Sequence, residues 1–289
     1  MDKVSYNSPA KINIFLDIKG KRDDGYHEIF TWMQAVDLCD KITISKSAQD
    51  YSTLRSRDTG IPFGKRNLCI KAFETVRDNT DMKKTDTVEI SLEKVIPLGS
   101  GLGGGSSNAA SVINGLDEIF ELQLSREKKI ELAAMVGSDV PFFLLSGGAL
   151  AHGRGELLEP LPALPAPLWL VIAKPDFSVS TGEAYKWVKN HKGGKIIARE
   201  QIAARLEAGD ISFILDNLYN AFEPIISEKY PLLSSIKQQM LEAGCLKAQM
   251  TGSGSGMFGI CADEASARSA AEKLEPSNDL AFVAACKTL

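Results

Sequence analysis

The run Pro97-Leu98-Gly99-Ser100-Gly101-Leu102-Gly103-Gly104-Gly105-Ser106-Ser107 places five glycines within seven residues, between a strand pattern and a helical one. Without Cβ atoms such a stretch can enter left-handed backbone and aim its N–H groups inward. Upstream, Thr87 to Leu92 alternates apolar and polar residues, as a half-buried strand does. Downstream, Ala109, Val112, Ile113, Leu116, Ile119 and Phe120 recur every three or four positions, so Ser106 to Phe120 reads as a helix with one buried face. Strand, glycine turn and helix N-terminus together form an anion site suited to a phosphate chain, because the first helical amides are unpaired and carry partial positive charge. A glycine-rich packing turn is the plainer alternative.

Two familiar phosphate loops do not fit. Gly99-x-Gly101-x-x-Gly104 has the dinucleotide spacing, but the acidic residues about 20 positions on, Asp117 and Glu118, fall on the helix instead of closing the next strand. A Walker A loop needs a lysine after its last glycine, and none lies between Lys94 and Lys128. The loop is of a third kind.

The 289 residues suit one large or two medium domains. With 33 basic and 37 acidic side chains, the net charge of −4 argues against a general nucleic-acid binder, which needs a basic surface. Cys39, Cys69, Cys245, Cys261 and Cys286 are scattered without a C-x-x-C pair, which offers no zinc framework and fits a reducing compartment. The longest uncharged stretch, Val95 to Leu116, is broken by glycines and serines, so no membrane span is expected. Strands are predicted at Lys11–Lys19, Asp40–Ser45 and Leu168–Ala173, and helices at 67–78, 126–136 (N-cap Ser125, stop at Gly137), 199–207, 211–222 and 231–243. Pro160, Pro162, Pro165 and Pro167 read as a connection between domains. The elements mix without regular β-α alternation, which favours an α+β chain in two domains, 1–157 and 158–289.

Two ionisable residues stand out. Asp139 follows a helix-ending glycine and precedes the apolar run Val140 to Leu145, so it is either the N-cap of a following helix or a carboxylate at a buried edge. Lys11 sits inside an apolar strand; it either reaches solvent at an edge or is buried with an anionic partner. His152 and His191 have no constellation around them.

Pro97 to Ala110 resembles the phosphate-binding motif of the GHMP kinases. Three further blocks, in order along the chain, resemble the branch of that superfamily acting on a cytidine-diphosphate-linked methylerythritol. They are Pro9 to Leu16 with Gly20 to His27, Gly137 to Phe143, and Thr251 to Gly256; Gly256-Met257 departs from the commoner small residue and valine. The resemblance implies a ribosomal-S5-like N-terminal domain, a ferredoxin-like C-terminal domain, and transfer of the γ-phosphoryl of ATP, used as its Mg²⁺ complex, to the substrate's 2-hydroxyl. It implies Asp139 as base with Lys11 as its cation, and the 97–107 run with Asn67 and Lys94 at the nucleotide. Asn13, Tyr26, His27 and Tyr185 are implied at the substrate; the motifs name no protein ligand for the metal, for which Ser107 is a candidate. Gly25-Tyr26-His27 separates this expectation from a kinase of a small aliphatic alcohol such as homoserine or mevalonate. The presence of both Lys11 and Asp139 separates it from a nucleotide-binding module without turnover. The first block begins near the N-terminus, which leaves no room for a transit peptide. A cytoplasmic enzyme is therefore expected, a monomer or weak homodimer acting on a small molecule, with no nucleic-acid or membrane partner.

Overall fold

A computed structural model describes residues 2–58, 60–62, 64–145, 147–188, 193, 196–275 and 277–289. In chain order they form β1 (Lys3–Lys21), β2 (His27–Lys46), β3 (Thr53–Ser56), α1 (Leu68–Asn79), β4 (Val88–Glu93), α2 (Gly104–Ile119) and α3 (Arg126–Val136). There follow β5 (Gly148–His152), β6 (Leu157–Pro160), β7 (Trp169–Lys174), α4 (Thr181–Trp187), α5 (Arg199–Glu207), α6 (Ile211–Asp216) and β8 (Tyr219–Asn220). The chain closes with α7 (Glu223–Lys229), α8 (Leu232–Ala243), β9 (Lys247–Met250), β10 (Met257–Cys261), α9 (Glu264–Leu274) and β11 (Phe282–Lys287). Two compact units interleave in sequence. The first holds the chain up to Ala10, 38–98 and 103–145; the second holds 11–37, 99–102 and the chain beyond Leu145.

In the first unit the C-terminal half of β2 pairs antiparallel with β4, setting Ile42 opposite Leu92 and Ile44 opposite Ile90, and β3 lies parallel to β4. Their inward residues meet Ala72, Phe73 and Val76 of α1, Val112, Ile113 and Leu116 of α2, and Leu132, Ala133 and Val136 of α3. The period-2 and period-3.6 patterns thus converge on one apolar core. Ser125 caps α3 by accepting from Lys128 N at 3.2 Å, and Gly137 ends it, as its sequence predicts.

The second unit contains an antiparallel sheet in the order β11-β7-β10-β9. Val171 and Ala173 of β7 pack with Leu233, Ile236 and Met240 of α8 and Ala267, Ala270 and Leu274 of α9. In the same unit the C-terminal half of β1 runs parallel to β8, the N-terminal half of β2 pairs antiparallel with β5, and β6 pairs with β5. Mixed strands and helices in this arrangement make an α+β fold.

Two expected elements differ. The helix predicted over 211–222 stops at Asp216, and Tyr219–Asn220 instead joins β1 as β8. Asn220 draws the chain away from helix: its Nδ2 donates to Met250 O (2.7 Å) and Gly252 O (2.9 Å), while its Oδ1 accepts from Phe222 N. The strands predicted at Lys11–Lys19 and Asp40–Ser45 are segments of the much longer β1 and β2. Buried polar residues, among them Ser8, Lys11, Asn13, Asp17 and Asp40, break the apolar alternation that would have revealed their full length. No helix among the described residues is long and apolar enough to cross a membrane.

Candidate active site

The glycine turn is contributed to both units, and each part is built differently. In the first unit Gly103 opens α2 at φ +74°, with no side chain capping the helix. The first-turn amides are therefore left to a ligand or to water. Ser107 of that turn is buried with its Oγ lacking a hydrogen-bond partner, and Asn108 Oδ1 nearby is likewise unpaired. Buried polar atoms are normally satisfied, so an orphaned hydroxyl under an uncapped helix start fits a site completed by a bound group. Gly105 and Leu98 are exposed, Gly104 is buried, and Pro97 and Ser106 are half-buried. Val at position 103 would oppose both the positive φ and a ligand's close approach. Gly103→Val is expected to weaken ATP affinity far more than it lowers Tm, read by titration beside thermal denaturation.

Lys94 lies below the same turn. Its side chain is only 5% exposed and ion-paired with the fully buried Asp40. Its Nζ stands 3.1 Å from the point that a Cβ on Gly104 would occupy. Asn67 is the N-cap of α1: its Oδ1 accepts from Cys69 N at 2.9 Å, and its Nδ2 donates to Pro62 O at 3.0 Å. Burial pushes the Cys69 thiol up to about 12, so it stays protonated. Asp139 is half-buried in the turn after α3. The 3-10 helix that follows, Pro141–Leu144, is entered through Val140 without a side-chain cap. Asp139 is therefore not that helix's N-cap.

In the second unit Gly99 (φ +61°) and Gly101 (φ +77°) carry residues 99–102 against the 251–256 turn. A Cβ on Gly101 would lie 2.3 Å from Thr251 O, and one on Gly256 would lie 2.3 Å from Ser100 O. Gly256 N also donates to Ser100 O at 3.0 Å, and Lys11 N to Leu102 O at 2.9 Å. Glycine at 256 is thus what this backbone contact demands, which accounts for the glycine of the Gly256-Met257 departure.

Lys11 is 3% exposed, which excludes an edge lysine reaching solvent. Its Nζ donates to Asn13 Oδ1 at 2.6 Å. That same oxygen accepts from Gly252 N (3.0 Å) and Thr251 Oγ1 (3.2 Å), and Asn13 Nδ2 donates to Thr31 Oγ1 at 2.8 Å. Asn13 therefore locks the lysine to the 251–256 turn, a task its sequence position did not suggest. His27 stacks on Tyr185, with centroids 4.7 Å apart and planes at 18°. Burial, with the charge of Lys21 second, holds the His27 pKa below the ordinary imidazole value, so the ring is neutral at pH 7. Tyr26 is 55% exposed, with the Arg154 guanidinium 4.8 Å above its ring. His152 of β5 lies against Phe30, and His191 falls outside the described residues. Among those residues no group of three or more His, Cys, Asp or Glu could hold a metal.

Asp40, Asn108 and Thr31 were missed by sequence reasoning. One signal existed for Asp40: period-2 spacing puts it on the same strand face as Ile42 and Ile44.

Residues 67–147 match the GHMP kinases N terminal domain, and 201–278 match the GHMP kinases C terminal family. A 4-diphosphocytidyl-2-C-methyl-D-erythritol kinase of Syntrophomonas wolfei is 41% identical over 94% of this chain and 94% of its own. The enzyme of that name from Geotalea daltonii is 39% identical over the whole of both chains. A crystal structure of 4-(cytidine 5'-diphospho)-2C-methyl-D-erythritol kinase superposes with a TM-score of 0.82 at 33% identity, covering 99% of each chain. Identity of this extent, over a chain that carries the glycine turn and both GHMP halves, places the protein in the 4-diphosphocytidyl-2-C-methyl-D-erythritol kinase family of GHMP kinases.

Proposed function

We propose that this kinase transfers the γ-phosphoryl group of ATP to the 2-hydroxyl of 4-diphosphocytidyl-2-C-methyl-D-erythritol. The carrying observation is the uncapped start of α2 at Gly103, set above a buried hydroxyl that has no partner. Near-full-length identity with kinases of that name supports the choice of substrate. Phosphoryl transfer asks a protein chiefly for positioning and for charge around the transferring group. Residues 97–107 are assigned the phosphates, with their amides as donors, and Asn67 and Lys94 the nucleotide's surroundings. Mg²⁺ enters with ATP as part of the cosubstrate, and the Ser107 hydroxyl fits a contact to it. Asp139 is assigned the base that takes the proton of the 2-hydroxyl, and Lys11 the cation that orients it. Asn13 holds Lys11 and is assigned, with Tyr26, His27 and Tyr185, to the substrate, the last three at its cytidine. The enzyme would act in the cytoplasm as a monomer or weak homodimer, without a nucleic-acid or membrane partner.

A coupled assay of ADP release against a panel of alcohols tests this. Turnover is expected with the cytidyl-linked methylerythritol and not with homoserine or mevalonate. Preference for either small alcohol would overturn the assignment.

A further inference from the structure

Asp40 lies in β2 with its side chain completely buried. Its Oδ1 accepts from Val95 N and Ile96 N, each at 2.8 Å. Its Oδ2 accepts from Asn108 Nδ2 at 2.9 Å and takes the ion pair with Lys94. These four donors come from both sides of the glycine turn: residues 94–96 lead into it, and Asn108 belongs to the helix that follows. The same carboxylate thereby fixes where Lys94 Nζ stands beneath Gly104.

We propose that Asp40 is a positioning residue for phosphoryl transfer, one that ties the entry strand, Lys94 and α2 together so that the phosphate-binding turn is set before ATP arrives. This rests on the reading that residues 97–107 hold the phosphates.

Stability alone does not explain the arrangement. A buried ion pair contributes little net stability beside an apolar filling of the same volume, because desolvating both charges offsets their attraction. What it supplies is direction. Four hydrogen bonds to one rigid carboxylate hold two backbone amides, an ammonium and a side-chain amide in fixed relation. Neutralising Lys94 also has a consequence for the anion site: attraction for phosphate is left chiefly to the helix amides, and these are useful only when aimed.

Asp40→Asn keeps an acceptor for Val95 N and Ile96 N but loses the charge that holds Lys94. It is expected to raise KM for ATP about tenfold, well within the ~10²-fold that a 1 Å misplacement can cost. KM for the alcohol substrate is expected to stay within about twofold, since one misaimed group acts on the ligand it faces. Asn108→Ala cuts only the tie to α2 and leaves no charge unpaired; a smaller rise in KM for ATP alone is expected. Ile44→Val thins the same core without touching Asp40, and should lower Tm with KM for ATP unchanged. The proposal is overturned if Asp40→Asn leaves KM for ATP at the wild-type value, or if both KM values rise together. It is equally overturned if Ile44→Val raises KM for ATP as much at equal loss of Tm. Should Asp40→Asn fail to fold, Asn108→Ala decides on the same criteria. Gly103→Val separates the two readings. An impaired Gly103→Val beside an unaffected Asp40→Asn overturns the positioning role alone, whereas two unaffected variants overturn the phosphate-loop reading with it.

Discussion

Replacing Asp139 by asparagine is expected to lower kcat by roughly 10²–10⁴, the usual contribution of a positioned general base, while ATP and the cytidyl substrate still bind. The amide is nearly isosteric with the carboxylate but cannot take a proton from the attacking hydroxyl. Asp139 is half-buried in a turn after α3 and is not spent on capping the helix that follows. Its removal should therefore leave folding close to wild type. Single-turnover phosphorylation, with Tm measured on the same preparation, checks both halves. A variant with near wild-type kcat would remove Asp139 from the base role. Reduced kcat with a matching fall in Tm would point to a structural part instead.

A uridyl analogue of the substrate is expected to lose about 10⁴-fold in kcat/KM, the scale on which a hydrogen-bonding site rejects a ligand with mismatched polar groups. Aromatic stacking contributes ~1–3 kcal/mol per base but accepts any base, so Tyr26 and Tyr185 cannot supply this selectivity. Hydrogen bonds must, and His27 is the residue with the means. Its depressed pKa keeps it neutral at pH 7, with one ring nitrogen donating and the other accepting. Cytosine presents an N3 acceptor beside an N4 donor, and uracil reverses both. His27 lies flat on Tyr185, so a base stacking on that face must displace it. His27→Ala is expected to raise KM for the cytidyl substrate several-fold and leave KM for ATP unchanged. The pH dependence has a definite sign: lowering the pH through the depressed His27 pKa protonates the ring and removes its acceptor. KM for the cytidyl substrate should therefore stay flat through neutrality and rise only in acid. Equal turnover of uridyl and cytidyl substrates would refute the assignment.

Much of this was legible along the chain because local physics decided it. The turn at 97–107 announced itself by glycines that positive φ requires at 99, 101 and 103. α3 was bounded by Ser125, which caps it with its own side chain, and by Gly137, where the chain turns extended. Helices at 68–79, 104–119, 199–207 and 232–243 followed from apolar spacing, which a single buried face imposes. Tertiary structure decided the rest, where a residue's energy depends on partners far away in sequence. Asn220 stands in a strand and not in a continued helix, its amide meeting the carbonyls of Met250 and Gly252. Glycine at 256 was required by the carbonyl of Ser100. Asn13, which its motif assigned to the substrate, closes three bonds on one oxygen around Lys11, Thr251 and Gly252. Asp40 looked like the polar start of an ordinary strand until folding surrounded it with four donors from residues 94–108. Sequence alone thus determined where the chain turns and which faces are apolar, because steric freedom and hydrophobic period act within a few residues; its motifs separately carried the family resemblance. Only the folded chain decided which buried polar groups hold one another, because desolvation makes each of them depend on a partner that local sequence does not name.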